Sequence, residues 1–579
     1  MSSCRILIFS NARPSRAWTL AERVAREIPD VEICGIVQAP RRELPMEQQL
    51  IMDGRSSDSG TARFRRPLSF LHSLCEHIIE RALSSIHGVR ADIHSFTPAH
   101  LAQKCDAKGI PILIPWNGDY SKTTSFVVER RPDFGIILSS QRIPDNLLTI
   151  PRRGWIAARN VAEQRGHEPA GTTIAAEWNA ANSSAFTLAQ LTLPHQPYDD
   201  PISVSLKADL LCDDLAIESI KHLVHGTADE TSAELADWIQ QVFSPYLEQL
   251  QLSSTPTSDV SPQFRHRPRW KLCLDTLLLC SPLIITRNWY RRLRRKYPIT
   301  ILTHHLVSDR PHRMGISTQA FWRQVRFLQR HYRIVSLAQA VELLKAGKVD
   351  APTVVLTFDD GYADNFLALR AVAEETGVPI TMFISTEPVT HQQEFQHDIE
   401  NGIRGALPLT WEQLRYWSSR QVEFGAHTRT HFDCGSKDNA RLDFEIAGSK
   451  FDLEQRLGTA VNFFAFPFGQ PENMSAEAVQ IVRANYPFFV SGFGGENHCG
   501  GGDGQHLRRK NLYANSWELE LELQGIFDIV DTLKRSLSRR KSKPDRVFEH
   551  VPLSSSQKGS RPALHTPDFD TSGLDSTPL

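Results

Sequence analysis

Between residues 299 and 490 the sequence holds seven short apolar runs, at 299–303, 333–336, 353–358, 380–384, 421–425, 462–466 and 488–490. Each is the length of a buried strand, and helical patterning fills most of the intervals. The interval 318–331 places Phe321, Val325 and Leu328 on one helical face. Alternating strands and helices demand a parallel sheet. About seven such units in ~230 residues suit a closed barrel better than an open sheet. The fold expected for 299–535 is a distorted (β/α)7 barrel, whose functional residues should stand at the C-terminal ends of the strands.

The same alternation occurs upstream with fewer units. Strand candidates at 5–9, 31–37, 110–115 and 134–138, with a helix at 16–28, imply a Rossmann-like parallel α/β sheet. Residues 253–268 read SSTPTSDVSPQFRHRP, the composition of a linker. A polar stretch at 52–66 reads as an exposed loop, and the polar tail from 536 lacks apolar periodicity. The chain divides into a domain at 1–252, a linker at 253–270, a basic amphipathic connector at 271–298, the barrel at 299–535 and a disordered tail at 536–579.

Net charge is -1, so nothing global favours nucleic acid, and no nucleic-acid motif accompanies the basic stretches. The nine cysteines are scattered without a C-x-x-C pair, which reads as reduced thiols. The opening residues MSSCRILIFS read as a strand rather than a signal peptide, so a cytoplasmic protein is expected. The apolar run 272–285 is broken by Asp275, Ser281 and Pro282, too short to span a bilayer. Residues 289–296, WYRRLRRK, join aromatics to a basic cluster. They read either as a solvated helix entering the barrel, the preferred reading, or as a peripheral contact with the inner membrane.

Chemistry concentrates at two strand ends. The run 354–358 is followed by Asp359, Asp360 and Gly361. Adjacent carboxylates there are costly unless a cation or hydrogen-bond donors compensate them. The run 421–425 leads into His427 and His431, whose spacing lets two imidazoles share one metal. Two histidines and one carboxylate leave positions open for water and substrate. Zinc is the commonest divalent occupant of such a set.

The sequence Thr357-Phe358-Asp359-Asp360-Gly361-Tyr362-Ala363-Asp364-Asn365 resembles the first motif of the polysaccharide deacetylases, carbohydrate esterase family 4. His427-Thr428-x-x-His431 resembles their second motif, and Phe464 to Gly469 their third, a groove wall containing Pro467 and Phe468. Leu302 to His305 resembles an opening strand, and 491–512 a closing motif with Arg509 in the place of its arginine, expected with Pro467 and Phe468 along the substrate groove. The resemblance implies hydrolysis of an N-acetylated or N-formylated amino sugar, free in a polysaccharide or carried by a lipid or nucleotide. Asp360, His427 and His431 would hold the metal, Asp359 would act as base and the Tyr362 amide would hold the oxyanion. The family's Leu-x-His acid has no clean match; His304, His305, His498 and His506 are candidates, with His305 in the matching position. A non-catalytic carbohydrate-binding or scaffold protein is the alternative.

Residues 5–11, 131–138 and 150–156 resemble folate-dependent formyltransferases. Where that family has Asn-x-His, this chain has Ala157, Ala158 and Arg159, and its later Asp falls near Asn182, Ser183 and Ser184. The resemblance therefore implies a formyltransferase fold without formyl transfer, serving either to bind a sugar or partner or as a structural domain. His167 and His195 are the histidines that a shifted alignment would offer.

Overall fold

Thr353–Phe358 reads TVVLTF, and all six residues are buried. So apolar and β-branched a run needs partners on both edges and packing on both faces. It lies parallel to Ile299–His304 on one edge and to Ile380–Ile384 on the other. In the computed structural model the order continues through Val422–Ala426, Phe463–Ala465, Phe488–Val490 and His506–Leu507, again parallel. Arg509–Asn511 starts two residues after Leu507 and pairs with Ile299–His304. The segment 506–511 thus joins the last strand to the first, and the sheet closes as a parallel barrel of seven staves. Ile301, Val355, Phe383, Ala465 and Val490 share one buried core with Leu337, Ala340 and Val341 of the helix Leu337–Lys345.

The structure describes residues 3–39, 97–252 and 269–530, apart from 116–119, 139–142, 144, 162–170, 180–184, 197, 280, 311, 313, 419, 421, 494, 502–503 and 512–515. The loop 52–66, the linker 253–268, the tail from 536, His167 and Asn182 to Ser184 fall outside the described residues.

One expected stave is different. The run 333–336 gives only the short strand Arg333–Ile334, beside the start of Thr353–Phe358. The seventh stave is 506–511, which reads HLRRKN and carries no apolar signal.

Residues 4–194 form a second sheet. Cys4–Ser10 lies between Val31–Gln38 and Phe134–Leu138, parallel to both, and Trp155–Val161 follows in parallel. Gly171–Asn179 and Phe186–Pro194 are antiparallel. The sheet is therefore mixed rather than parallel. The intervals 162–170 and 180–185 are too short for crossover helices, which parallel pairing would require.

Residues 1–529 make one compact unit. Its joint is the helix Pro201–Leu223, which packs on Trp155–Val161 and Gly171–Asn179 and also on the barrel helices Thr318–His331 and Ala368–Thr376. Charges buried in this helix are matched across the joint. Asp214 contacts Arg23 at 2.7 Å and the barrel's Arg370 at 2.6 Å. Lys207 contacts Asp199 at 2.8 Å and Asp309 at 2.6 Å. Arg420 of the barrel reaches Glu27 at 2.7 Å. The connector forms two helices, Arg269–Leu279 and Pro282–Arg294; Pro282 opens the second, where a missing N–H costs nothing. Among the described residues no helix is long and apolar enough to cross a membrane.

Candidate metal centre and active site

After Phe358 the chain turns at once across the barrel mouth. Asp360 (φ 71°) and Gly361 (φ 91°) make the turn in left-handed backbone. Glycine adopts it freely, whereas Asp360 carries a strain of about 1 kcal/mol. A Cβ on Gly361 would also stand 2.7 Å from Ile384 Cδ1. Thr428 (φ 59°), His431 (φ 60°) and Phe468 (φ 57°) are left-handed as well. Four of the eight such non-glycine residues described thus belong to this site. Strain of this kind persists only where surrounding structure enforces it, and it gathers at functional sites.

Asp360 is 1% exposed. Its Oδ1 lies 3.4 Å from His427 Nε2 and 3.3 Å from His431 Nε2. The His427 Nδ1 is 2.8 Å from the Ala465 carbonyl, which can only accept, so Nδ1 keeps a proton and Nε2 is the ligating nitrogen. Among the described residues, neither buried Asp360 oxygen accepts a well-formed hydrogen bond. Burial pushes this carboxyl's pKa up, but His431 and His427 outweigh burial and hold it well below the usual range. Ligands 2.0–2.1 Å from a tetrahedral ion stand about 3.3–3.4 Å apart, so the donor set fits a divalent metal.

A third imidazole, absent from the sequence reading, stands beside them. His397 belongs to the helix Gln396–Glu400, and its Nε2 is 3.9 Å from Asp360 Oδ2. The ligating atoms of Asp360, His397 and His431 all lie within 4.8 Å of one another. Burial pushes the His397 imidazole down to about 4. No motif marks it, because it sits in the insert between Ile380–Ile384 and Trp411–Ser418.

Asp359 turns the other way. Its oxygens accept from Arg509 at 2.6 and 2.8 Å, and Thr303 Oγ1 lies 3.4 Å off. Burial pushes its pKa up; Arg509 and His427 pull harder and leave it below the usual carboxylate range. Arg509, expected along the substrate groove, is instead 1% exposed beneath the base. It is on a barrel stave, so its side chain enters the barrel, where it also bonds the Ser491 carbonyl at 3.0 Å.

The flanks of the turn are fixed by Ala363 N donating to Leu407 O and Leu409 N to Gly361 O, both 2.8 Å. The Tyr362 amide takes no part in these bonds. The Tyr362 hydroxyl donates to Asp398 Oδ2 at 2.7 Å and lies 3.1 Å from His397 Nε2. Among the acid candidates, His305 is half-buried and close enough to interact electrostatically with Asp359, Asp360, His397 and His431. His304 is buried, and burial pushes it down to about 3. His498 pairs with Glu496 at 3.4 Å and His506 lies 2.9 Å from Ser491 Oγ. Pro467 is buried, and a tight bond from Gly469 N to its carbonyl, 2.6 Å, lifts Phe468 outward. Phe468 is 51% exposed with its ring 4.8 Å from His431, a wall for the site.

In the first half, Ala157 and Ala158 are buried on Trp155–Val161 and Arg159 is exposed. His195 contacts Thr172 Oγ1 at 2.7 Å.

Comparison with known proteins bears on the domain that carries the site. The family described as polysaccharide deacetylase matches residues 346–486. The curated protein named "Putative polysaccharide deacetylase YxkH", from Bacillus subtilis (strain 168), is 21% identical over 184 residues, 31% of this chain and 61% of that protein. The chain thus spans less than two thirds of that relative's length. Among solved structures, IcaB from Ammonifex degensii shares 20% identity over 39% of this chain and 97% of its own, with a TM-score of 0.34. For the N-terminal region, a phosphoribosylglycinamide formyltransferase from Bacillus halodurans shares 11% identity, covering 37% of this chain and 91% of its own, with a TM-score of 0.22. The C-terminal half of the chain carries a polysaccharide deacetylase domain.

Proposed function

We propose that residues 299–535 catalyse metal-dependent hydrolysis of the N-acyl group, acetyl or formyl, of an amino sugar in a polysaccharide, glycolipid or nucleotide-sugar precursor. The carrying observation is the buried Asp360 carboxylate, faced by His427 and His431 at 3.4 and 3.3 Å. A divalent cation held there, zinc first among candidates, would polarise the acyl carbonyl and lower the pKa of its water. Asp359 takes the proton of the attacking water, with both oxygens aimed and kept ionised by Arg509. The Tyr362 amide donates to the developing oxyanion. His305 returns a proton to the leaving amine. The test is metal analysis followed by an assay of acetate or formate release from polymeric, lipid-linked and nucleotide-linked amino sugars. A metal-loaded protein that releases neither acid from any of them sinks the reading.

Phe468 gives the sugar a stacking face. Phe468→Ala is expected to raise KM about three- to tenfold with kcat little changed, the scale of one aromatic contact. Steady-state kinetics on the best substrate checks it.

We place the protein in the cytoplasm, as its scattered cysteines suggest; a solvated helix at 289–296 is the first reading, and a peripheral contact to an anionic membrane is the second, favoured by the exposed apolar residues there. Leu283, Trp289, Tyr290 and Leu293 are exposed beside Arg292, Arg294, Arg295 and Lys296. This helix runs into the start of Ile299–His304, whereas the site stands at the strands' far ends, so the contact anchors the chain rather than feeding the site. The protein should co-float with vesicles containing anionic lipid, less so at high salt, and not with neutral ones. Equal binding to both, or to neither, removes this contact.

A further inference from the structure

We propose that His397 is a further protein ligand of the metal centre, which makes the set three imidazoles and one carboxylate. This rests on reading Asp360, His427 and His431 as metal ligands. His427 and His431 approach one oxygen of Asp360, and His397 approaches the other, at 3.9 Å. Opposite ligands of a six-coordinate ion bound at 2.1 Å stand about 4.2 Å apart, so Asp360, His397 and His431, within 4.8 Å of one another, need only a small closure around a cation, and His427 joins them through Asp360 Oδ1 at 3.4 Å.

The position of His397 is built. Its neighbours Phe395 and Asp398 are fully buried. The Phe395 ring packs 4.7 Å from Tyr362, and Asp398 accepts from the Tyr362 hydroxyl at 2.7 Å. Both bonds tie the helix Gln396–Glu400 to the turn that carries Asp360. The His397 ring then lies 4.2 Å from that of His431 at 35°. Its Nδ1 is buried and makes no hydrogen bond among the described residues. The Tyr362 hydroxyl has one proton, and Asp398 receives it. The 3.1 Å contact of His397 Nε2 with that hydroxyl can therefore be released without leaving the tyrosine unbonded. A chain with this extra ligand presents a more crowded ion to substrate and retains metal more tightly than a two-histidine set.

The test compares the full chain with His397→Ala, by titration with zinc and by the visible absorption of the cobalt(II) form. The variant is expected to bind zinc at least about tenfold more weakly. Its cobalt band should intensify as the coordination number drops, and added imidazole should reverse both changes. Unchanged affinity with an unchanged cobalt spectrum overturns the role of His397 while leaving the metal site intact. Weaker binding with an unchanged spectrum also overturns it, because His397 then acts from outside the coordination sphere. A wild-type chain that binds neither ion overturns this inference together with the reading beneath it.

Discussion

Asp360→Asn is expected to lose at least about 10³-fold in turnover and most of its bound metal while remaining folded. The size follows from the several kcal/mol that a positioned Lewis acid contributes to a carbonyl hydrolysis. The folded state survives because the substitution is nearly isosteric and removes a charge rather than an apolar contact. Asp360 is 1% exposed, and without a cation its carboxylate is answered by His427 and His431, which hold it ionised. In chelator, Asn at 360 should therefore cost a modest amount of stability. In excess metal the gap should widen, since only the wild type gains binding energy. Metal content, turnover and denaturation with and without chelator together decide it. Wild-type turnover in the variant, or a variant that unfolds even in chelator, removes Asp360 from the centre.

The parts of this centre that a sequence displays are those fixed by local backbone. Asp359, Asp360 and Gly361 follow a strand directly, and His427 and His431 are four residues apart just after another strand, so order and spacing announce them. His397 does not, because its place depends on how Phe395 and Asp398 pack against Tyr362, over 30 residues away in the chain. Arg509 was legible as a residue but not as a neighbour of Asp359. Its stave, HLRRKN, has no apolar pattern, since that segment buries a guanidinium against a carboxylate instead of a hydrocarbon face. The barrel itself was legible from alternation, yet the count of staves was filled by a wrong member, 333–336, whose strand is only two residues long. In the first half, strand-like runs gave the parallel core. The antiparallel pair Gly171–Asn179 and Phe186–Pro194 was hidden because the alternation argument attends to helices between strands, and the intervals before and within this pair are too short for a crossover helix.

What the sequence concealed most is that the two halves fold as one, and Asp214→Asn should expose it. Asp214 and Arg370 have no exposed side-chain surface, and Arg23 has 3%. Glu374 also reaches Arg23 at 2.7 Å and Arg370 at 3.9 Å, and Glu27 contacts Arg23 at 3.0 Å. Removing Asp214 therefore leaves both guanidiniums short of one close partner rather than bare, at up to about 3 kcal/mol. Denaturant midpoints should fall accordingly. Replacing Asp214, Arg23, Arg370 and Glu374 together by apolar residues of similar volume should recover much of the loss, because such sets are often no better than hydrocarbon. The acid dependence has a definite sign. Burial pushes Asp214 up, but Arg370 and Arg23 outweigh it and hold the carboxyl at about 2. A depressed pKa gives stability that is whole above the unfolded value of ~3.9 and fades as pH falls toward 2. The gap between wild type and Asp214→Asn should accordingly be full near neutrality and close between pH ~4 and ~2. A constant gap across that range would assign the loss to packing instead. The consequence reaches the active site, since Arg370 sits in the helix Ala368–Thr376, which begins eight residues after Asp360. The first half fixes that helix through Asp214. Turnover in Asp214→Asn should then decline together with stability, whereas a first half that only rode alongside the barrel would leave both unchanged.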